Sequence, residues 1–245
     1  FIFVAAAKYC IDVAIHQHGC CVLQRCISHS IGEHRENLVA EISANGLLLS
    51  QDAYGNYVIQ FILELRIPSA TSNLISQFEG NYVHLSKQKF GSHVVEKCLM
   101  VFNDECQSRL IHELLSVPQF ERLLQDPHAN YVVQTALRVS EGPIHNALVE
   151  AIESHKAISR NSPYSKRIFS QKLLKNQSLS SQDCIKYPPR AQQSKEDKEI
   201  LLPDLAADTV QYNAEYVTAL SHRGGYCACK VYSYVEGWLH MPDTH

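Results

Sequence analysis

Tyr54-Gly55-Asn56-Tyr57-Val58-Ile59-Gln60 is the stretch from which the rest of the chain can be read, because four other segments repeat its pattern. They are His18-Gly19-Cys20-Cys21-Val22-Leu23-Gln24, Phe90-Gly91-Ser92-His93-Val94-Val95-Glu96, His128-Ala129-Asn130-Tyr131-Val132-Val133-Gln134 and Tyr164-Ser165-Lys166-Arg167-Ile168-Phe169-Ser170. The third residues fall at 20, 56, 92, 130 and 166, giving steps of 36, 36, 38 and 36 residues. A fixed period of roughly 20 to 50 residues marks a repeat architecture. Ahead of each template runs a second stretch with apolar residues at helical spacing, such as Leu38 to Ile42, Leu74 to Phe78, Leu110 to Leu115 and Ala147 to Ile152. Polar joints separate the two; in them Ser50, Asp52, Ser86 and Asp126 suit helix N-caps, and Pro127 suits a first helical turn. Each unit is therefore two or three short helices. A unit of that size cannot bury its apolar face alone, so neighbours must stack. The expected fold is all-α, a curved solenoid of stacked repeats.

The pattern stops near Gln177. Residues 178–199 are rich in Ser, Gln, Pro and charge and read as a linker, and 200–245 match no repeat unit. The expected division is a repeat domain over 1–177, with four full units and a terminal pseudo-repeat, and a largely disordered tail over 178–245. Up to residue 177 there are 16 acidic and 16 basic residues, and beyond it 9 and 6, so the net charge of -3 belongs to the tail. Bulk positive charge cannot hold a nucleic acid here. The apolar start, Phe1 to Ala7, is far short of the ~20 residues that span a bilayer, and neither membrane association nor a signal peptide is expected. These opening residues read as the middle of an amphipathic helix, so the chain is expected to be part of a larger domain. Nine Cys, an odd number without a regular framework, fit reduced thiols of the cytosol or nucleus.

Within each template the third and seventh residues are one helical turn apart and share a face, with the fourth beside them, while the fifth and sixth are always apolar. The polar pairs are Cys20 with Gln24, Asn56 with Gln60, Ser92 with Glu96, and Asn130 with Gln134; the fourth residues are Cys21, Tyr57, His93 and Tyr131. Asn and Ser are poor interior helix formers, which argues that the face is kept for a purpose. Amide or carboxylate pairs beside flat rings suit an unpaired base, the ring stacking on its face and the pair bonding its Watson–Crick edge. One base per unit follows. A single copy of the pattern would read as a solvated helix face; four in succession do not.

These templates, above all 54–60, 90–96 and 129–134, resemble the RNA-reading helices of the Pumilio (PUF) family, and Cys10 to Cys26 resembles a plant-type member. The resemblance covers about residues 1–177 and implies the C-terminal half of an eight-repeat domain. It also implies RNA running antiparallel to the protein, with the last reading unit on the 5′ base. Donor and acceptor matching then gives uracil for Asn130 and Gln134, guanine for Ser92 and Glu96, uracil for Asn56 and Gln60, and adenine for Cys20 and Gln24. The core reads UGUA. Cys21 stands where the family has Arg or an aromatic ring, so adenine is expected to be held weakly; Arg167 is expected to cap the stack beside Tyr131. Four bases alone should bind weakly.

The function so implied is control of messenger RNA translation and stability through 3′ untranslated regions, by a cytoplasmic monomer with a nuclear pool. Translational-repressor or deadenylase proteins would be the partners. The alternative is a protein-binding solenoid of the HEAT or armadillo kind, or a truncated copy that does not bind RNA. His16, His18, Cys20 and Cys21 lack a second ligand pair, and Cys227 and Cys229 are too close for usual zinc pairing, so no metal or other cofactor is expected. No nucleophile elbow, phosphate loop or carboxylate cluster appears, and no enzyme activity is expected. Arg25 and Lys97, each one residue past a base-edge position, read equally as phosphate contacts or as solvated surface charge.

Overall fold

The computed structural model describes residues 2–156, 162–165, 168 and 169. Among them every regular element is helical, and the helices come in threes. The first unit holds α1 (Ile2–Lys8), α2 (Cys10–Ala14) and α3 (Gly19–His29). The second holds α4 (Gly32–Ala44), α5 (Gly46–Ser50) and α6 (Gly55–Leu65). The third is α7 (Pro68–Phe78), α8 (Tyr82–Ser86) and α9 (Gly91–Val101), and the fourth α10 (Asp104–Leu115), α11 (Phe120–Gln125) and α12 (Ala129–Val139). Helix α13 (Gly142–Ser154) follows.

The template helices α3, α6, α9 and α12 pack one against the next, as do α1, α4 and α7, and α10 with α13. Each five- or six-residue helix, α2, α5, α8 and α11, lies against the template helix that follows it. The periodic apolar residues form the seam: Val58, Ile59, Ile62 and Leu63 of α6, Val94, Val95, Cys98 and Leu99 of α9, and Val132, Val133, Ala136 and Leu137 of α12 are all buried. The fifth and sixth template residues therefore point into the core, as the alternation requires. Ile168 of the last template joins this core and Ser165 is buried beside it.

The chain breaks between helices for local reasons. Asp52 Oδ1 accepts from the amides of Tyr54 and Gly55, and Asp126 Oδ1 from those of His128 and Ala129, each at 2.8 Å, satisfying donors at the helix start. His16 Nδ1 fills the same place ahead of α3, accepting from His18 and Gly19 at 3.2 and 3.3 Å. Ser50 and Ser86 do not act as N-caps: they end α5 and α8, and their hydroxyls donate back to Gly46 and Tyr82 carbonyls at 2.7 Å. Pro127 lies in the turn ahead of α12 and not within its first turn. Glycine recurs as the second template residue because backbone meets backbone there: a Cβ on Gly55 would lie 2.8 Å from the Leu49 carbonyl oxygen, and one on Gly91 2.7 Å from that of Leu85.

A single polar side chain ties the third unit to the second, and another the fourth to the third. Gln77 of α7 accepts from the Leu47 amide at 3.2 Å and donates to the Ser43 carbonyl at 2.6 Å. At the same register 36 residues later, Glu113 of α10 accepts from the amides of Gly80 and Tyr82, both at 2.8 Å. These bonds hold the start of a short helix from the following unit, so stacking is specified by polar geometry as well as by burial. The tail over 178–245, and Lys166, Arg167 and Ser170 of the last template, lie outside the described residues.

Candidate nucleic-acid interface

The candidate residues fall on two levels. Cys20, Asn56, Ser92, Glu96 and Asn130 are at most 4% exposed, so they form a floor in place of the open polar stripe that the pattern suggests. Gln24, Gln60 and Gln134 and the fourth residues Cys21, Tyr57, His93 and Tyr131 are half-buried and form the rim above it.

The third template residues on this floor share a bond. Asn56 Nδ2 donates to the carbonyls of Asp52 and Ala53 at 2.8 and 2.9 Å, Asn130 Nδ2 to Asp126 at 2.7 Å, Ser92 Oγ to Lys89 at 3.0 Å and Cys20 Sγ to Gln17 at 3.2 Å. Each is the second residue of its helix, where a short polar side chain that grips the preceding turn is favourable. The propensity argument for a purposeful face therefore does not hold, since Asn and Ser here are not interior helix residues.

What the geometry adds concerns the seventh residue. Gln60 Nε2 donates to Asn56 Oδ1 at 3.0 Å, and Gln134 Nε2 to Asn130 Oδ1 at 2.9 Å. With the Asn amide committed to the backbone, each Gln is fixed in orientation. It offers a carbonyl oxygen and a second amide hydrogen side by side, an acceptor and a donor in one plane, which is the complement of the adjacent N3–H and carbonyl of uracil. Two units 74 residues apart in sequence, at Gln60 and Gln134, repeat this arrangement.

Glu96 differs. Its Oε2 accepts from Thr135 Oγ1 of α12 at 2.9 Å, and Thr135 Oγ1 in turn accepts from Arg138 Nη2 at 2.6 Å. Thr135 is fully buried and Arg138 half-buried. Neither stands out in the sequence reading; comparing the residue just past each template, Arg25, Phe61, Lys97 and Thr135, is the signal that would have drawn attention to them.

At α3 the fourth-position ring is missing. The Cys21 thiol, 4.0 Å from that of Cys20, is brought down from its ordinary value by the Cys20 thiol and then by the Arg25 guanidinium, against the opposing effect of burial. Cys20 is pushed up by its hydrogen bond to Cys21 and by burial. Arg25 is thus half-buried beside Cys21 on its own helix, and Lys97 is half-buried in an ion pair with Glu64 of α6. Lys97 is therefore engaged between helices. His16, at the start of α3, serves as a helix cap. Arg167, expected to cap the stack, lies outside the described residues. Among the described residues no helix is long and apolar enough to cross a membrane.

A family model described as the Pumilio-family RNA binding repeat matches residues 9–43, 45–75, 81–115 and 119–153. The chain is 57% identical over 175 residues to pumilio homolog 7, chloroplastic, of Arabidopsis thaliana, covering 71% of this chain and 27% of that protein. It is 51% identical over 175 residues to pumilio homolog 9 of the same plant, covering 71% and 30%. Among solved structures, the Puf4 RNA binding domain bound to the HO endonuclease RNA 3′ UTR recognition sequence superposes with a TM-score of 0.61 at 36% identity, over 68% of this chain and 54% of that one. The chain thus spans about a third or less of these curated relatives and just over half of the solved domain. With four family repeats in register on a solenoid of the Puf type, the chain belongs to the Pumilio family, close to its plant members.

Proposed function

We propose that the chain binds single-stranded RNA in a sequence-specific way, with α12, α9, α6 and α3 reading a 5′-UGUA-3′ core one base per helix. The observation that carries this is the matched pinning of Gln60 and Gln134, which gives two separate units the same donor and acceptor edge. Buried Glu96, between them in sequence, brings a carboxylate that can accept from N1–H and the exocyclic amine of guanine together. The half-buried side chains of Tyr57, His93 and Tyr131 supply flat surfaces beside these edges. The Puf4 domain at 36% identity is named as bound to a 3′ UTR recognition sequence, which supports messenger RNA as the partner class. In the cell the chain would act in post-transcriptional control of translation and message stability through 3′ untranslated regions. It would work as a cytoplasmic monomer with a nuclear pool, recruiting translational-repressor or deadenylase proteins.

Fluorescence anisotropy with labelled UGUA and UCUA oligonucleotides, on the wild-type chain and Glu96→Gln, tests the reading. Hydrogen bonds to a charged group are worth about 1.5–3 kcal/mol, so the wild type should prefer UGUA by about tenfold or more and the variant should lose that preference. Equal affinity of the wild type for both oligonucleotides would remove RNA reading and leave a protein-binding solenoid.

A further inference from the structure

We infer that Thr135 and Arg138 of α12 are positioning residues for the guanine-reading carboxylate of the preceding unit, so that guanine specificity is a property of two adjacent repeats. The inference rests on the reading of Ser92 and Glu96 as the guanine edge. Three observations carry it. First, the hydrogen bonds run in one direction, Arg138 Nη2 to Thr135 Oγ1 at 2.6 Å and Thr135 Oγ1 to Glu96 Oε2 at 2.9 Å; because the guanidinium donates, the one hydroxyl hydrogen is directed at the carboxylate. Second, Glu96 is 4% exposed and Thr135 is fully buried, so the bond forms where water is excluded and a carboxylate needs donors from the protein. Third, the pairing follows the chemistry of the edge residue. By template register, Gln60 is followed on the next helix by Lys97 and Met100, and Gln24 by Phe61 and Glu64; Glu96, the one carboxylate edge, is followed by Thr135 and Arg138. Lys97 is drawn away to Glu64 in an ion pair, so the Gln60 step has no counterpart of this relay.

The relay fixes which way the carboxylate faces. With one lone pair of Oε2 held from α12, the plane of Glu96 is set for the paired N–H groups of guanine. Without the hydroxyl the carboxylate can rotate, and a base that needs both oxygens in plane loses more than one that does not.

The test uses the whole chain and labelled UGUA, UAUA and CGUA oligonucleotides with Thr135→Val, Thr135→Ser and Arg138→Met, the last installing the residue found at the equivalent position of α9. Losing a bond to a buried charge should lower the UGUA-over-UAUA preference of Thr135→Val by about tenfold. The UGUA-over-CGUA preference, read by Asn130 and Gln134, should stay as in the wild type, and Thr135→Ser should retain both. Arg138→Met should lower the first preference severalfold; its side chain is half-buried, so it carries the test if Thr135→Val does not fold. Wild-type preferences in both Thr135→Val and Arg138→Met, or an equal loss at both base positions, would overturn the relay while leaving RNA reading intact. A wild type without preference for UGUA over UAUA would overturn the parent reading and the relay with it.

Discussion

Replacing Asn56 by Ala should cost stability as well as uracil reading, because the same amide does both. Asn56 is 1% exposed and donates to the Asp52 and Ala53 carbonyls at 2.8 and 2.9 Å. Each such bond is worth about 1 kcal/mol net, so the loss should be about 2 kcal/mol. For a protein of this size that lowers Tm by about 4–8 °C, at roughly 2–4 °C per kcal/mol. Gln60→Ala removes one bond from a half-buried side chain and should cost no more than about 1 kcal/mol while weakening RNA binding comparably. Asn56→Ser should recover about half of the lost stability, since Ser92 makes one such backbone bond in α9. Urea denaturation of the whole chain followed by circular dichroism, with anisotropy on the same samples, separates the two effects. An Asn56→Ala protein within about 0.5 kcal/mol of wild type, beside a Gln60→Ala protein that is clearly destabilised, would refute the assignment of floor and rim roles.

Gly91→Ala should destabilise by about 1–3 kcal/mol, because the added Cβ would sit 2.7 Å from a backbone oxygen that cannot swing aside; an unchanged melting curve would contradict the close approach of α8 and α9. Burial and then the neighbouring His18 hold the His16 imidazole below its ordinary value, so the neutral, amide-accepting ring is the native form. Stability from this cap is present above the unfolded value of about 6.5 and is lost as pH falls below it toward the folded value. His16→Asp, matching Asp52 and Asp126, should reduce the drop in urea midpoint between pH 7.5 and 5.5, and an equal drop in both proteins would count against the cap. Cys21→Tyr should tighten binding of UGUA by about tenfold, since stacking adds about 1–3 kcal/mol per base; no change would mean that α3 does not face the fourth base.

The solenoid was legible because the apolar pairs Val58-Ile59, Val94-Val95 and Val132-Val133 repeat with the chain's period, and burial of such pairs is what the stack needs. The polar trios were legible as a recurring set, but not their depth. That Asn56 and Asn130 lie on a floor depends on where the helices begin; Asp52 and Asp126 read as capping residues, but how deep the side chains after them sit is set by the packing of neighbouring helices. Interactions between units were out of reach for a different reason. Glu96 meets Thr135 across 39 residues, and Glu113 meets Gly80 across 33, so neither partner falls within the window that defines a template. Lys97 read as a candidate phosphate contact because its partner, Glu64, belongs to the template helix of the preceding unit.

The central claim is that each helix presents its own base edge. The most direct measurement of it is a specificity exchange: Ser92→Asn combined with Glu96→Gln gives α9 the edge pair of α6 and α12. Anisotropy against UGUA and UUUA oligonucleotides should then show the preference reversed, with the double variant favouring UUUA and the wild type UGUA. A folded double variant that still favours UGUA, or that binds both RNAs equally while the wild type does the same, would contradict the account.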